Sequence, residues 1–168
     1  IIIDIGGGTS EIGIISLGGI VYGKSVRIGG DKLDDSIVNY VRKNHNLLIG
    51  ETTAEKIKMT IGAACVPDDG KDGEVMEVRG RDLVTGLPHT ITLTSDEVEE
   101  ALRESAYIIV NTAKSVLEQT PPELAADIID KGIVLTGGGA LVDGFDKLLS
   151  HELKVPVFLA ETPLTCVV

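Results

Sequence analysis

The sequence predicts an α/β fold carrying a small α+β insertion, and three observations point there. The chain opens with three apolar, strand-like segments joined by glycine turns. It closes with helix, helix, strand, helix and strand in alternation. Between these lies a stretch, residues 29–94, in which helices and a hairpin make up a second, smaller subdomain.

Ile1 to Ile5 is a short apolar run ended by Gly6-Gly7-Gly8, the pattern of a buried strand entering a turn. Glu11 to Leu17 and Ile20 to Ile28 are two further strands around Gly18-Gly19, which makes an antiparallel meander. Asp31 to Asn44 places Leu33, Ile37 and Val41 four residues apart, with basic residues near its end, so it reads as an amphipathic helix. Thr52 or Thr53 is expected to cap a second helix running to about Ile61. Pro67 to Gly73 is a polar loop, and Val75 to Arg81 with His89 to Leu93 forms a hairpin around Thr85-Gly86-Leu87-Pro88. Thr94-Ser95-Asp96-Glu97 has capping-box form and opens a long helix that Pro121-Pro122 ends. A helix over Glu123 to Asp130, a strand over Ile133 to Thr136, a helix over about Val142 to Glu152 and a strand over Val155 to Leu159 complete the order.

Composition narrows the function classes. With 168 residues, 43% hydrophobic and only 24% charged, the chain has enough apolar surface to bury a core, which excludes disorder. Fifteen Lys and Arg against 26 Asp and Glu give a net charge of −11, and no basic cluster stands out. Nucleic acid and anionic lipid are therefore poor partners, since both are held by grouped Lys and Arg. No apolar run approaches the roughly 18 to 20 residues that span a bilayer. Cys65 and Cys166 match no metal-ligand spacing and read as reduced thiols, and His45, His89 and His151 have no partner at ligand spacing. The chain starts without methionine in an apolar run and stops at Cys166-Val167-Val168, so it is expected to be a piece of a longer protein.

Two segments share a design: Ile3 to Ser10 (I-D-I-G-G-G-T-S) and Val134 to Leu141 (V-L-T-G-G-G-A-L). In each a strand runs into three glycines, where the absence of Cβ atoms lets backbone N–H groups converge on an anion. Phosphate is the natural guest. Asp4 would repel a bare phosphate, so the combination fits a Mg²⁺-bound nucleotide, with Thr9 and Ser10 adding hydroxyls for water or a terminal phosphate. A rival motif is present as well: Gly18 to Ser25 (G-G-I-V-Y-G-K-S) matches the P-loop expression. A P-loop must lead into a helix, however, and Ser25 is followed by Val26-Arg27-Ile28-Gly29-Gly30 around a strand-forming Ile-Val-Tyr centre. Lys24 and Ser25 are accordingly expected on a strand face.

The two triglycine segments resemble the phosphate and adenosine motifs of the actin, Hsp70 and sugar-kinase superfamily. Val26 to Asp31 (V-R-I-G-G-D), Ile49 to Lys58 (I-G-E-T-T-A-E-K-I-K) and Thr120 to Ile129 (T-P-P-E-L-A-A-D-I-I) narrow the resemblance to the MreB/Mbl family of bacterial actins, over the whole chain but only the C-terminal half of such a protein. The resemblance implies an RNase H-like subdomain IIA from residues 1–28 and 95–168 and a subdomain IIB from residues 29–94. It also implies that Asp4 holds Mg²⁺ through water, that Gly6, Gly7 and Gly8 cradle the ATP phosphates, and that Thr9 lies near the attacking water. Ser10 replaces the family's usual second threonine. Glu55 and Lys58 would meet ribose and adenine, and Gly137, Gly138, Gly139 and Ala140 the other side of the nucleoside. Further implications are self-association into protofilaments, a RodZ-like partner on IIA, the cell-wall synthesis machinery, and a cytoplasmic location with membrane contact through the missing half. That half would also carry the first phosphate loop and the hydrolytic glutamate. A metabolite kinase or a chaperone ATPase of the same superfamily is the alternative.

Overall fold

The computed structural model describes residues 1–16, 18–64 and 74–160. Cys65, the loop from Pro67 to Gly73 and Cys166 lie outside these residues. The opening meander is β1 (Ile2–Ile5), β2 (Ser10–Ser16) and β3 (Gly19–Val26), antiparallel in sequence, with Gly18 at φ 78 in the turn between the last two. The rest is α1 (Gly30–His45), β4 (Leu47–Leu48), α2 (Glu51–Ile61), β5 (Val75–Asp82), β6 (Pro88–Thr94), α3 (Ser95–Glu118), α4 (Pro122–Lys131), β7 (Ile133–Thr136), a 3₁₀ turn (Gly138–Leu141), α5 (Phe145–Leu153) and β8 (Val157–Leu159).

The strands make two sheets. The larger has the order β3-β2-β1-β7-β8, the smaller β4-β5-β6. Pairing of β1 with β7 is parallel, Ile2 to Val134, Ile3 to Leu135 and Asp4 to Thr136. This register decides where the function sits, because parallel neighbours end at the same side of the sheet and deliver their following turns next to each other.

Alternation fixes what each strand buries. Ile3, Ile5, Ile12, Ile14, Ile133 and Leu135 point to one face, against which α3 and α5 pack, and all are buried. On the opposite face Ile2, Ile15, Val134 and Phe158 keep 37–56% of their surface exposed. Asp4, Glu11, Ser25 and Thr136 form a polar row across that same face, as the registers Asp4–Glu11, Glu11–Ser25 and Asp4–Thr136 require.

The helices follow their stripes. In α1 the buried positions are Gly30, Leu33, Asp34, Ile37 and Val41, and in α3 they include Val98, Leu102, Ile109, Ala113 and Val116. The capping box at the start of α3 is present: the Glu97 amide donates to the Thr94 hydroxyl at 3.2 Å, and the Thr94 amide to the Glu97 carboxylate at 3.0 Å. Glu97 also meets His45 Nε2 at 2.9 Å, so a histidine with no partner nearby in sequence ties the end of α1 to the start of α3. The capping of α2 differs from expectation. It starts at Glu51 behind an extended Gly50, with Thr52 and Thr53 inside the first turn and no side-chain cap.

Candidate functional site

The first glycine turn is closed by the Gly6 amide donating to the Thr9 carbonyl at 2.9 Å. Its own carbonyls are consumed by the N-terminus of α1: Gly30 donates to the Gly6 carbonyl and Asp31 to the Gly7 carbonyl, each at 2.8 Å. Helix N-termini carry unpaired amides, and these two clamp the turn by its acceptors, leaving the amides of Gly7 and Gly8 without a backbone acceptor among the described residues. The clamp is tight enough to require glycine next to it. A Cβ on Gly29 would lie 2.4 Å from the Gly6 oxygen and 2.7 Å from that of Gly7.

The second turn leaves β7 at Gly137, whose φ of 90 and ψ of 163 belong to glycine alone. A Cβ there would stand 2.4 Å from both Asp4 Oδ1 and the Ile5 carbonyl oxygen, and one on Gly139 would stand 2.3 Å from Ile5 Cγ2. The second turn thus lies against the end of β1, at the point where the first turn begins.

Beside them opens a cavity of about 420 Å³, with Gly6 and Gly7 from the first turn, Gly138 and Gly139 from the second, and Asp34, Glu55, Lys58 and Met59 from α1 and α2 in its wall. Its volume suits a nucleotide-sized ligand. The structure therefore unites residues drawn from four separate segments of the sequence.

Other expected site residues stand elsewhere. Ala140 is buried and its amide closes the second turn on the Gly137 carbonyl at 3.1 Å, so it supports the wall from behind. Thr9 is exposed beyond the first turn. Ser10 needs correction as a ligand-binding residue. It shares the alternation of Ile12 and Ile14, is completely buried, and donates its hydroxyl to the Ile28 carbonyl. That hydroxyl ties β2 to the segment leading to α1, and Ser10 is not among the residues lining the cavity.

Asp4 lies on the open face of the sheet, in a second cavity of about 400 Å³ that also takes in Glu11, Ser25 and Thr136. Burial in the first place, and the facing Glu11 carboxylate in the second, raise the Asp4 carboxyl above its ordinary value. Its Oδ1 is buried without a hydrogen-bond partner. Among the described residues no group of three or more His, Cys, Asp or Glu could hold a metal by itself. An orphaned carboxylate oxygen fits a hard cation that keeps waters and takes its remaining oxygens from phosphate, the habit of Mg²⁺.

Lys24 belongs to β3 and donates to Ser115 Oγ of α3 at 2.8 Å, and residues 19–26 form a strand. The P-loop match is therefore a coincidence of letters. Lys24→Ala is expected to leave nucleotide affinity within about twofold of the unsubstituted protein, since Lys24 is not in the wall of the cavity beside the glycine turns and the hydrogen bond it loses, to Ser115, is exposed; equilibrium titration with a fluorescent ATP analogue measures it.

Asp34, Glu11 and Gly29 are the residues that sequence reading passed over. Asp34 had a readable signal, because it is the one charged side chain on the buried stripe of α1.

Glycine turns at adjacent parallel strand ends, one clamped by a helix and the other folded over the end of the neighbouring strand, define an α/β domain of the actin-like kind. The family described as MreB/Mbl protein matches residues 1–168, and the chain belongs to that family. It is 57% identical over 166 residues to the cell shape-determining protein Mbl of Bacillus subtilis, covering 99% of this chain and 49% of that one. To the cell shape-determining protein MreB of Escherichia coli K12 it is 54% identical, over 99% of this chain and 47% of the other. The crystal structure of MreB5 of Spiroplasma citri bound to ADP superposes with a TM-score of 0.94 at 40% identity, covering 99% of this chain and 50% of that one. The chain therefore spans about half the length of the relatives it matches.

Proposed function

We propose that this chain forms the nucleotide-gripping half of an actin-like, filament-forming cytoskeletal protein that governs rod cell shape by organising cell-wall synthesis. The observation that carries this reading is the meeting of both glycine turns with Glu55 and Lys58 around one cavity. The MreB5 structure with ADP supports a nucleotide as the ligand.

In this reading the amides of Gly6 to Gly8 take the β- and γ-phosphates of ATP. Gly137 to Gly139, backed by Ala140, line one side of the nucleoside, and Glu55 and Lys58 meet ribose and adenine on the other. Asp4 holds Mg²⁺ through water, and the ion supplies the positive charge that reconciles a carboxylate with phosphates. Thr9 stands beside the path of the attacking water. The residues 29–94 act as subdomain IIB on a base made by residues 1–28 and 95–168. The other half of the protein supplies the opposite wall of the cleft with its hydrolytic glutamate, and carries membrane contact. Slow hydrolysis then couples to polymer lifetime, protofilaments form by self-association, and a RodZ-like partner docks on the base. Membership of the MreB/Mbl family disfavours a metabolite kinase or chaperone ATPase.

Calorimetry with Mg-ATP tests the reading in two steps. The full-length protein is expected to bind, whereas the 168-residue chain, lacking one wall, binds weakly and hydrolyses negligibly. Micromolar affinity of the isolated chain would contradict the two-wall account, and absence of binding by the full-length protein would contradict the nucleotide itself.

A further inference from the structure

Lys58 is held from two sides. Its Nζ lies 2.9 Å from Asp34 Oδ1 and donates to the Gly30 carbonyl at 3.2 Å. The contact with Asp34 is an ion pair. Both side chains are nearly sealed, 11% and 12% exposed, and both line the nucleotide-sized cavity. Gly30 is the residue whose amide clamps the Gly6 carbonyl, so Lys58 is linked to the first glycine turn through a single residue.

Packing alone does not call for a carboxylate at position 34. The rest of the buried stripe of α1 is apolar or glycine, and buried ion pairs seldom stabilise a fold more than apolar residues of the same size. What a carboxylate adds here is direction. A lysine ammonium sits on a flexible four-carbon stem with three donors, and binding a ligand with it ordinarily costs the ordering of that stem. With one donor on Gly30 and the charge drawn to Asp34, that ordering is already done. Glu55, one helical turn earlier on α2 and in the same cavity wall, is an exposed acceptor. A donor and an acceptor set side by side match a pair of neighbouring hydroxyls, each of which donates and accepts.

We infer that Asp34 is a positioning residue for nucleotide binding: it fixes the Lys58 ammonium in the cavity wall so that Lys58 and Glu55 together recognise the ribose diol. The inference rests on the nucleotide-binding reading of this cavity. Burial holds the Asp34 carboxyl above its ordinary value although the Lys58 ammonium draws it down.

The test is a double-mutant cycle in the full-length protein, read as Mg-ATP affinity by calorimetry, with melting temperatures recorded alongside. Asp34→Asn and Lys58→Ala are each expected to weaken binding about tenfold, and the double variant to be no weaker than Lys58→Ala alone. Asp34→Glu, which keeps the charge, should fall between wild type and Asp34→Asn. Asp34→Leu completes the apolar stripe, carries the same expectation as Asp34→Asn, and serves if the asparagine variant does not fold. The affinity for 2′-deoxy-ATP, which keeps one of the two hydroxyls, should be less sensitive to Asp34→Asn than the affinity for ATP. Losses that multiply in the double variant, or an Asp34→Asn protein within twofold of wild type, would overturn the inference while leaving the nucleotide site standing. Failure of the unsubstituted protein to bind would instead remove the nucleotide reading and the inference with it.

Discussion

Asp4→Asn is expected to cost about a hundredfold in Mg²⁺-dependent nucleotide affinity while making the protein more stable when nucleotide and metal are absent. Both effects come from one feature. The carboxylate is desolvated, faces Glu11 across the β1–β2 pair, and leaves Oδ1 without a partner, an arrangement unfavourable for folding that suits a cation brought by phosphate. An asparagine removes the repulsion and offers Glu11 a donor, but gives a metal no charge. The pH dependence has a definite sign. Because the Asp4 carboxyl sits above its ordinary value of 3.8, the native state binds that proton more tightly than the unfolded chain does. Its contribution to stability therefore falls as pH rises from about 4 through the raised value, and a neutral asparagine has no such slope. Chemical denaturation in a metal chelator should show the variant gaining on the wild type as pH increases through that window and the two converging in acid. Asp34, whose carboxyl is also raised, contributes equally to both proteins and cancels in the difference. A constant gap at all pH values would show that the Asp4 carboxylate is not strained.

Gly137→Ala is expected to be among the most damaging single-methyl changes at the described residues. The residue has φ 90 and ψ 163, where an L side chain is strained, and its added Cβ would collide with Asp4 Oδ1 and with the Ile5 carbonyl oxygen, both at 2.4 Å. Relief requires β1 and β7 to separate at the end where both glycine turns begin. Strain and overpacking together are worth about 2–5 kcal/mol, which for a chain of this size lowers the melting temperature by on the order of 10 °C. Differential scanning calorimetry measures it. A useful contrast is Gly8→Ala, where a Cβ would meet nothing within 4 Å and φ needs no glycine, so its effect on melting should be small. Equal losses at the two positions would mean that the contact between the second turn and the end of β1 does not organise the site.

These predictions separate what sequence discloses from what only the folded chain discloses. Local chemistry was readable: the Thr94–Glu97 capping box needs residues three apart, each glycine triplet follows its own strand, and the stripe Leu33, Ile37, Val41 declares α1. The inward turn of Ser10 was readable as well, since it is in phase with Ile12 and Ile14, and assigning it to phosphate put function ahead of the strand's period. A two-residue strand such as β4 shows no alternation, and Gly50 caps α2 through backbone geometry with no side-chain signal. The Asp34–Lys58 pair joins two helices, and His45 reaches Glu97 from 52 positions away, so neither follows from spacing along the chain. Placement of Asp4 and Glu11 together required knowing the β1–β2 register, which the sequence suggests but does not number.

The central claim is that the two glycine turns close on one ligand, and amide chemical shifts of the full-length protein titrated with Mg-ATP test it most directly. The account predicts that the amides of Gly6 to Gly8, Gly137 to Gly139 and Lys58 move together and saturate at one concentration, and that they move further than those of residues 19–26. Shifts centred on Gly23, Lys24 and Ser25, or glycine turns that respond to nucleotide independently of each other, would contradict it.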